Sequence, residues 1–379
     1  MENGYQRLNA SALRALAKAF EADPAGDLED ALRDLSMSYP RLRDRVDKRR
    51  VKLAAGNKNK QVDCSVYVQP PISQPRLSFP PDLLSSLSSG ITTTHIISSL
   101  APQVLATLGI SHHDYGGSEI AQVLFRVFSN KEPLALSGQR AIVALSEEVV
   151  VKLVRNSSSD ELTLLHFLQE HVPTVAAPRP MGFMLVGTIS CMFMSRFHGE
   201  TLKDRWPMMP TREKYAVRLL LNRMLSDLRK VHLPSGSPMG SLSSKQVCKD
   251  CRRDLRISSD PIHTEEEFND FLTHSRTSRA SLGYRKWVQS MMRRDHRILL
   301  THGDLHPGNV IISINGAELT LGIIDWEMGG FYPEYWEVLK AMNTRSIDDA
   351  SDWWEWLPEC IMGYDNEILV DRLVESTLL

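Results

Sequence analysis

The chain has 379 residues, with 44 lysines and arginines against 46 aspartates and glutamates, for a formal net charge of −2. This balance gives no general attraction to nucleic acid or to an anionic membrane. Hydrophobic residues make up 42% of the chain, as in ordinary soluble globular proteins, so a sizeable core is expected. The sequence has no apolar run of the roughly 18–20 residues that a membrane helix needs, and no secretory signal at its start. We expect a cytoplasmic protein with no membrane span and no nucleic-acid partner.

Residues 1–91 differ in composition from the rest of the chain and are predicted to form an N-terminal extension. Leucines at near-helical spacing predict charged helices over 1–60. Prolines and serines dominate 69–90, which is typical of a linker. We expect the folded body to consist of an N-lobe over 92–197 and a C-lobe over 198–379.

The predicted elements of the body change in character along the chain. A helix is predicted over 160–171, and a long helix after residue 211 carries Val217, Leu221, Leu225 and Leu228 on one face. Short apolar or β-branched runs predict strands over 141–145, 149–154, 181–186, 189–194, 298–300, 310–314 and 319–324. A strand-rich small lobe followed by a helix-rich large lobe is an α+β arrangement, with a cleft expected between the lobes.

The most informative segments are 300–309, which read LTHGDLHPGN, and 323–327, which read IIDWE. Asp304 and Asn309 flank a Pro-Gly turn after an apolar strand, and Asp325 ends the next predicted hairpin. Phosphoryl transfer from a nucleoside triphosphate needs one carboxylate as base, and hard oxygen ligands that hold Mg²⁺ against the phosphates. The Asp-x4-Asn spacing followed by a strand-ending Asp is that of kinase catalytic loops. Asp304 is therefore the candidate base, and Asn309 and Asp325 are the candidate metal ligands, with ATP and Mg²⁺ as cofactors.

These motifs resemble a known family. HGDLHPGN at 302–309 with IDWE at 324–327 is similar to the aminoglycoside phosphotransferase and choline kinase superfamily, and GFYPEYWE at 330–337 resembles its fungal-type branch. The resemblance covers roughly 130–379. It implies a protein-kinase-like two-lobed fold, with nucleotide bound by the N-lobe and the catalytic loop, metal and acceptor site in the C-lobe. It also implies transfer of the ATP γ-phosphate to a hydroxyl of a small molecule.

The resemblance also implies a phosphate-binding lysine on a small-lobe strand, and Lys152 in the run VVVKLV supplies one. Glu161 lies nine residues later, on the apolar face of the following helix with Leu165 and Leu168. An acidic residue on such a face requires a cation, so we expect Glu161 to pair with Lys152. The pair would direct the ammonium toward the nucleotide phosphates, as in kinases.

Two other features concern the nucleotide. The segment 191–197 resembles the family's interlobe hinge, where backbone groups near Met194 and Arg196 would bind adenine. No G-x-G-x-x-G loop precedes Lys152, and LSGQR at 136–140 is the only candidate for a phosphate cover. His302 and His306 are expected to brace the loop, because Mg²⁺ disfavours imidazole.

The acceptor is predicted from the end of the chain. Residues 326–379 hold twelve acidic and three basic residues, and five of the seven tryptophans. Acidic and aromatic groups together suit a cationic amino-alcohol or amino-sugar. Equally, the tryptophans can be core residues and the acids a solvated surface. Two other functions stay open, a nucleotide-binding scaffold that has lost turnover and a protein kinase.

Overall fold

The computed structural model describes residues 93–110, 117–137, 140–155, 158–243, 245–252, 255–274, 278–316, 318–345 and 351–378. All of them lie in one compact unit of the chain. The extension predicted over 1–91 lies outside the described residues, so its helices and linker stay predictions.

An antiparallel sheet of six strands forms the small lobe. Its strands are β1 (Thr94–Ser98), β2 (Ala135–Ser137), β3 (Arg140–Ala144), β4 (Val149–Arg155), β5 (Pro180–Val186) and β6 (Ile189–Ser195). They run in the order β1-β5-β6-β4-β3-β2. Lys152 on β4 lies between Ile142 of β3 and Met192 of β6. Side chains directly opposite one another share a face of the sheet, so these three project from the same side.

Helices cover both faces of this sheet. Helices α1 (Pro102–Leu108) and α2 (Gly117–Ser129) pack on one face, where Leu124 and Phe128 share a core with Val151 and Leu153. Helix α3 (Asp160–His171) packs on the other face, where Leu165 and Leu168 share a core with Val150 and Met192. The alternation of Val150 and Val151 between the two cores is the period-two pattern of a strand that is buried on both sides.

The large lobe is mainly helical. Its helices are α4 (Leu202–Arg205), α5 (Thr211–Leu228), α6 (Glu265–Thr273), α7 (Leu282–Ser290), α8 (Trp336–Asn343) and α9 (Asp365–Thr377). Its strands are β7 (Glu200–Thr201), β8 (Lys249–Asp250), β9 (Arg256–Ile257), β10 (Ile298–Thr301), β11 (Val310–Asn315), β12 (Glu318–Ile323) and β13 (Gly330–Pro333). Strand β10 pairs with β13, and β11 lies between β12 and β7. The four apolar residues predicted to line one face of α5 are all buried. None of the helices in the described ranges is long and apolar enough to cross a bilayer.

This arrangement is the α+β, protein-kinase-like two-lobed fold that the resemblance implied. Helix α3 matches its predicted bounds, and the predicted strands of both lobes are present to within about two residues at each end. Strands β1, β2, β7, β8, β9 and β13 and helices α1, α2 and α4 were not predicted, and helices α6 to α9 were predicted only as a helix-rich region without bounds. Strands β11 and β12 and the turns beside them bring the HGDLHPGN and IDWE segments to the same edge of the large lobe.

Candidate active site

The predicted catalytic loop, residues 302–309, begins where β10 ends and is held by the ring of His302. Its Nε2 donates to the carbonyl of Ile324 at 2.9 Å, and its Nδ1 accepts from the amide of Asp304 at 3.2 Å. Burial lowers the pKa of His302 to about 4, so the ring stays neutral and keeps both bonds. The bracing role predicted for this histidine is therefore confirmed.

The buried carboxylate of Glu337, on α8, supports the same loop. It accepts hydrogen bonds from the amides of His302 at 2.6 Å and Gly303 at 3.3 Å. Gly303 has φ +74°, and a Cβ on it would lie 2.5 Å from the carbonyl oxygen of Met328, so only glycine fits this turn. Burial raises the pKa of Glu337 to about 7. The sequence pattern predicted no role for Glu337, although this residue ends the GFYPEYWE segment at 330–337.

Asp304 and Asn309 are brought together by the turn between them. The Asn309 side-chain amide donates to the Asp304 carbonyl at 2.9 Å and to its Oδ2 at 3.1 Å. His306 Nδ1 accepts from the amide of Gly308 at 3.0 Å, and its Nε2 lies 3.8 Å from Asp304 Oδ2. Burial, with the nearby charge of Asp325, raises the pKa of Asp304 to about 6. The carboxyl group is thus mainly charged at neutral pH but close enough to its pKa to take up a proton.

Asp325 faces the small lobe from the end of the β11–β12 hairpin. Its backbone has φ +63°, the left-handed conformation that is uncommon for a residue other than glycine. Lys152 Nζ lies 2.5 Å from Asp325 Oδ1 and 2.7 Å from Glu161 Oε2. The predicted pair of Lys152 with Glu161 is therefore confirmed, and Asp325 joins it from the large lobe.

The ionisation of Lys152 depends on the carboxylates around it, and theirs depends on Lys152. Burial alone would lower the pKa of Lys152, but Glu161, Asp325 and Glu327 outweigh it and raise that pKa above its ordinary value. Burial raises the pKa of Glu161. Burial would also raise the pKa of Asp325, but Lys152 outweighs it and lowers that pKa. Lys152 thus stays charged at all pH values of interest.

Sequence reasoning missed two further members of the cluster. Glu327 Oε2 lies 3.3 Å from Lys152 Nζ, and Glu327 Oε1 accepts a short hydrogen bond from Arg140. Arg140 Nη1 also lies 3.8 Å from Asp325 Oδ2. Arg140 lies in the LSGQR segment and Glu327 in the IDWE segment. Their contact joins positions 187 residues apart, so no local pattern could have predicted it.

The oxygen atoms of this cluster suit a divalent cation. One carboxylate oxygen from each of Glu161, Asp325 and Glu327 lies within 4.8 Å of the others. The amide of Ile324 donates to the Asn309 carbonyl at 2.9 Å, which links the loops that carry Asn309 and Asp325. Carboxylate and amide oxygens are the ligands that Mg²⁺ prefers, so the donor set fits this ion.

The predicted hinge residues lie at the end of β6 and directly after it. Met194 is buried near the end of β6, and the amide of Arg196 donates to the Glu148 carbonyl at 2.9 Å. The N–H of Arg196 is therefore engaged within the sheet, and the adenine contacts near Met194 and Arg196 stay predictions. Arg196 also lines a cavity of about 580 Å³ with neighbouring hinge residues.

A larger cavity of about 860 Å³ opens beside the catalytic loop. Its lining includes Lys203, Lys214, His306, Asp352 and Trp354. Lys214 Nζ lies 2.7 and 2.8 Å from the two carboxylate oxygens of Asp352. The one carboxylate among the described lining residues is thus already paired with a cation.

The fold and the catalytic loop define the class of kinase-like phosphotransferases. The model of the phosphotransferase enzyme family matches residues 136–358, which is more than half of the chain. The chain therefore belongs to this family and is, at the family level, a kinase-type enzyme that acts on small molecules.

The other comparisons give weaker similarities. No curated protein matches the chain. The crystal structure of aminoglycoside phosphotransferase APH(4)-Ia is similar at 16% identity, covering 59% of this chain and 76% of that one, with a TM-score of 0.41. The streptomycin-ATP-APH(2")-IIa ternary complex is similar at 14% identity, covering 70% and 87%, with a TM-score of 0.43. These likenesses are loose, and the family assignment rests on the family match.

Proposed function

We propose that the protein transfers the γ-phosphate of ATP, with Mg²⁺, to a hydroxyl group of a small molecule. The observation that carries this proposal is the convergence of Lys152, Glu161 and Asp325 from three elements, at 2.7 and 2.5 Å from the lysine nitrogen. A lysine held in this way can bind the α- and β-phosphates, as in kinases. Met194 and Arg196 are proposed to lie against the adenine.

Asp304 is proposed as the catalytic base. It accepts the proton of the acceptor hydroxyl while the hydroxyl oxygen bonds to the γ-phosphorus. The bond from that phosphorus to the β–γ bridging oxygen breaks, and ADP leaves. The hydrogen bond from Asn309 orients the Asp304 carboxylate. Asn309 and Asp325, with Glu327 beside them, would hold Mg²⁺, which neutralises charge on the phosphates when bound.

The acceptor predicted from the sequence, a cationic amino-alcohol or amino-sugar, has less support than phosphoryl transfer itself. Trp326, Trp336 and Trp353 are core residues, exposed by 1% or less. Several acids of the same segment have basic partners, as Asp352 has Lys214 and Asp371 has Arg252. The second candidate is a neutral or anionic hydroxylated molecule. The cavity beside the catalytic loop favours it, because Lys203 and His306 line that cavity and its described carboxylate is paired.

The two alternative functions are disfavoured by particular residues. A scaffold without turnover would be expected to lack the lysine, the base or a metal ligand, and all of these positions are filled. A protein kinase would be expected to carry the glycine-rich loop, which this sequence does not have.

Release of ADP from Mg-ATP tests the proposal and distinguishes the acceptors. We expect release that depends on both the metal and a hydroxylated small molecule, and that peptides do not stimulate. The panel should pair each amino-sugar with the neutral sugar and the sugar acid of the same stereochemistry. Preference for the amines would support the cationic acceptor, and preference for the neutral or acidic members the second candidate. Release that no small hydroxylated acceptor stimulates would contradict the proposal.

A further inference from the structure

Arg140 is the last residue of LSGQR, the segment that the sequence offers as a candidate phosphate cover before Lys152. It is the first residue of β3, and the single glycine of LSGQR precedes it by two positions in the sequence. In the register of the sheet Arg140 faces Val154, and Val154 shares a face of β4 with Lys152. Two cations on neighbouring strands therefore project toward the same group of carboxylates.

The two cations engage every carboxylate oxygen of Asp325 and Glu327. Lys152 Nζ lies 2.5 Å from Asp325 Oδ1 and 3.3 Å from Glu327 Oε2. Arg140 hydrogen bonds Glu327 Oε1 and lies 3.8 Å from Asp325 Oδ2. With Glu161 included, three carboxylates face two cations, so the cluster carries a net charge of 2 − 3 = −1.

Lys152 and Arg140 would compete with a metal ion for the carboxylate oxygens of Asp325 and Glu327. Mg²⁺ binds carboxylate oxygens at about 2.0–2.1 Å, and a guanidinium on the same oxygens opposes it by charge. Lys152 would still have Glu161 as a partner if a metal ion took the Asp325 and Glu327 oxygens, since the two almost fully buried side chains lie 2.7 Å apart. Arg140 has a side chain that is 40% exposed, which leaves it room to turn toward another anion.

We propose that Arg140 is a phosphate-binding residue that takes the role of the absent glycine-rich loop. Its guanidinium leaves Glu327 and Asp325 when a metal ion binds them, and it then binds the phosphates that arrive with that ion. A guanidinium can make two parallel hydrogen bonds to one phosphate, which a single lysine cannot. The metal and the nucleotide therefore bind cooperatively. This inference rests on the proposed function, because it assumes a nucleotide in the cleft.

We expect the substitution R140Q to change the affinities for Mg-ATP and for Mn²⁺ alone in opposite directions. We expect the affinity for Mg-ATP to fall about 10- to 100-fold, the range for losing hydrogen bonds between charged groups. The affinity for Mn²⁺ alone should instead rise, because the competing cation is gone. R140K keeps the charge but loses the paired donors, so its affinity for Mg-ATP should be intermediate.

Calorimetry on the full chain would measure Mg-ATP binding, and electron paramagnetic resonance would count free Mn²⁺. R126Q is the matched control, since Arg126 is exposed on α2, and it should change neither affinity. The inference about Arg140 would be overturned if wild type and R140Q bound Mg-ATP equally, or if R140Q bound Mn²⁺ more weakly. Either result would leave the proposed function standing. Failure of the wild type to bind Mg-ATP would overturn the proposed function as well.

Discussion

The surroundings of Asp304 adjust its affinity for a proton. Burial raises its pKa to about 6, and the negative charge of Asp325 acts in the same direction. The positive charge of Lys340 and the hydrogen bond from Asn309 act in the opposite direction and lower this pKa. A group in this state can accept a proton from a hydroxyl during the reaction and release it afterwards.

This environment predicts how turnover depends on pH. Because only the charged form of Asp304 accepts a proton, kcat/KM for the acceptor should rise as the pH increases through about 6. The profile should be measured at saturating Mg-ATP, so that ionisation of the nucleotide does not limit it. His306→Gln is the control, because burial lowers the pKa of His306 and its Nε2 lies 3.8 Å from Asp304 Oδ2, so this imidazole is the other titratable group beside the carboxylate. Loss of the acid limb in that variant would assign the limb to His306.

At the scale of secondary-structure elements, short sequence patterns predicted several strands and one long helix. The apolar and β-branched runs of β3, β4, β5 and β6 and the apolar face of α5 could be predicted from the sequence. So could the pair of Lys152 and Glu161, because burial of an acid next to a strand lysine leaves few other partners. Arg140, Glu327 and Glu337 could not be assigned, since their contacts join distant parts of the chain. Helix α2 could have been found, because Ile120, Leu124 and Phe128 recur at helical spacing.

Helices α1 and α2 precede the segment that the family model matches, yet they cover one face of its sheet. Leu124 is fully buried against that sheet, and Leu219 on α5 is 52% exposed. We expect Leu124→Ala to lower the free energy of unfolding by about 2–5 kcal/mol, from lost burial and a new cavity. Leu219→Ala should change it by less than about 0.5 kcal/mol. Urea denaturation of both variants measures this, and equal effects would show that α2 does not support the sheet.

At the scale of the whole molecule, the two lobes share an apolar core that includes Val150 and Trp326, and they also meet through charged and polar contacts around the cleft. Lys152 and Arg140 come from the small lobe, and Asp325 and Glu327 from the large lobe. The amide of Trp326 also donates to Glu161 Oε1 at 3.1 Å, and the amide of Ile323 to the carbonyl of Ala176 at 2.8 Å. The lobe boundaries at 92–197 and 198–379 remain a prediction, but the cluster couples elements from both sides of the cleft.

The turnover of Asp304→Asn at saturating Mg-ATP and acceptor tests the central claim most directly. Asparagine keeps the size and polarity of the side chain but cannot accept the proton. We expect kcat to fall about 10²- to 10⁴-fold, which is the contribution of a general base. The dissociation constant for Mg-ATP, measured on the same preparation, should stay within about threefold, because its phosphate and metal contacts lie elsewhere. A variant that turns over as fast as the wild type would contradict the account.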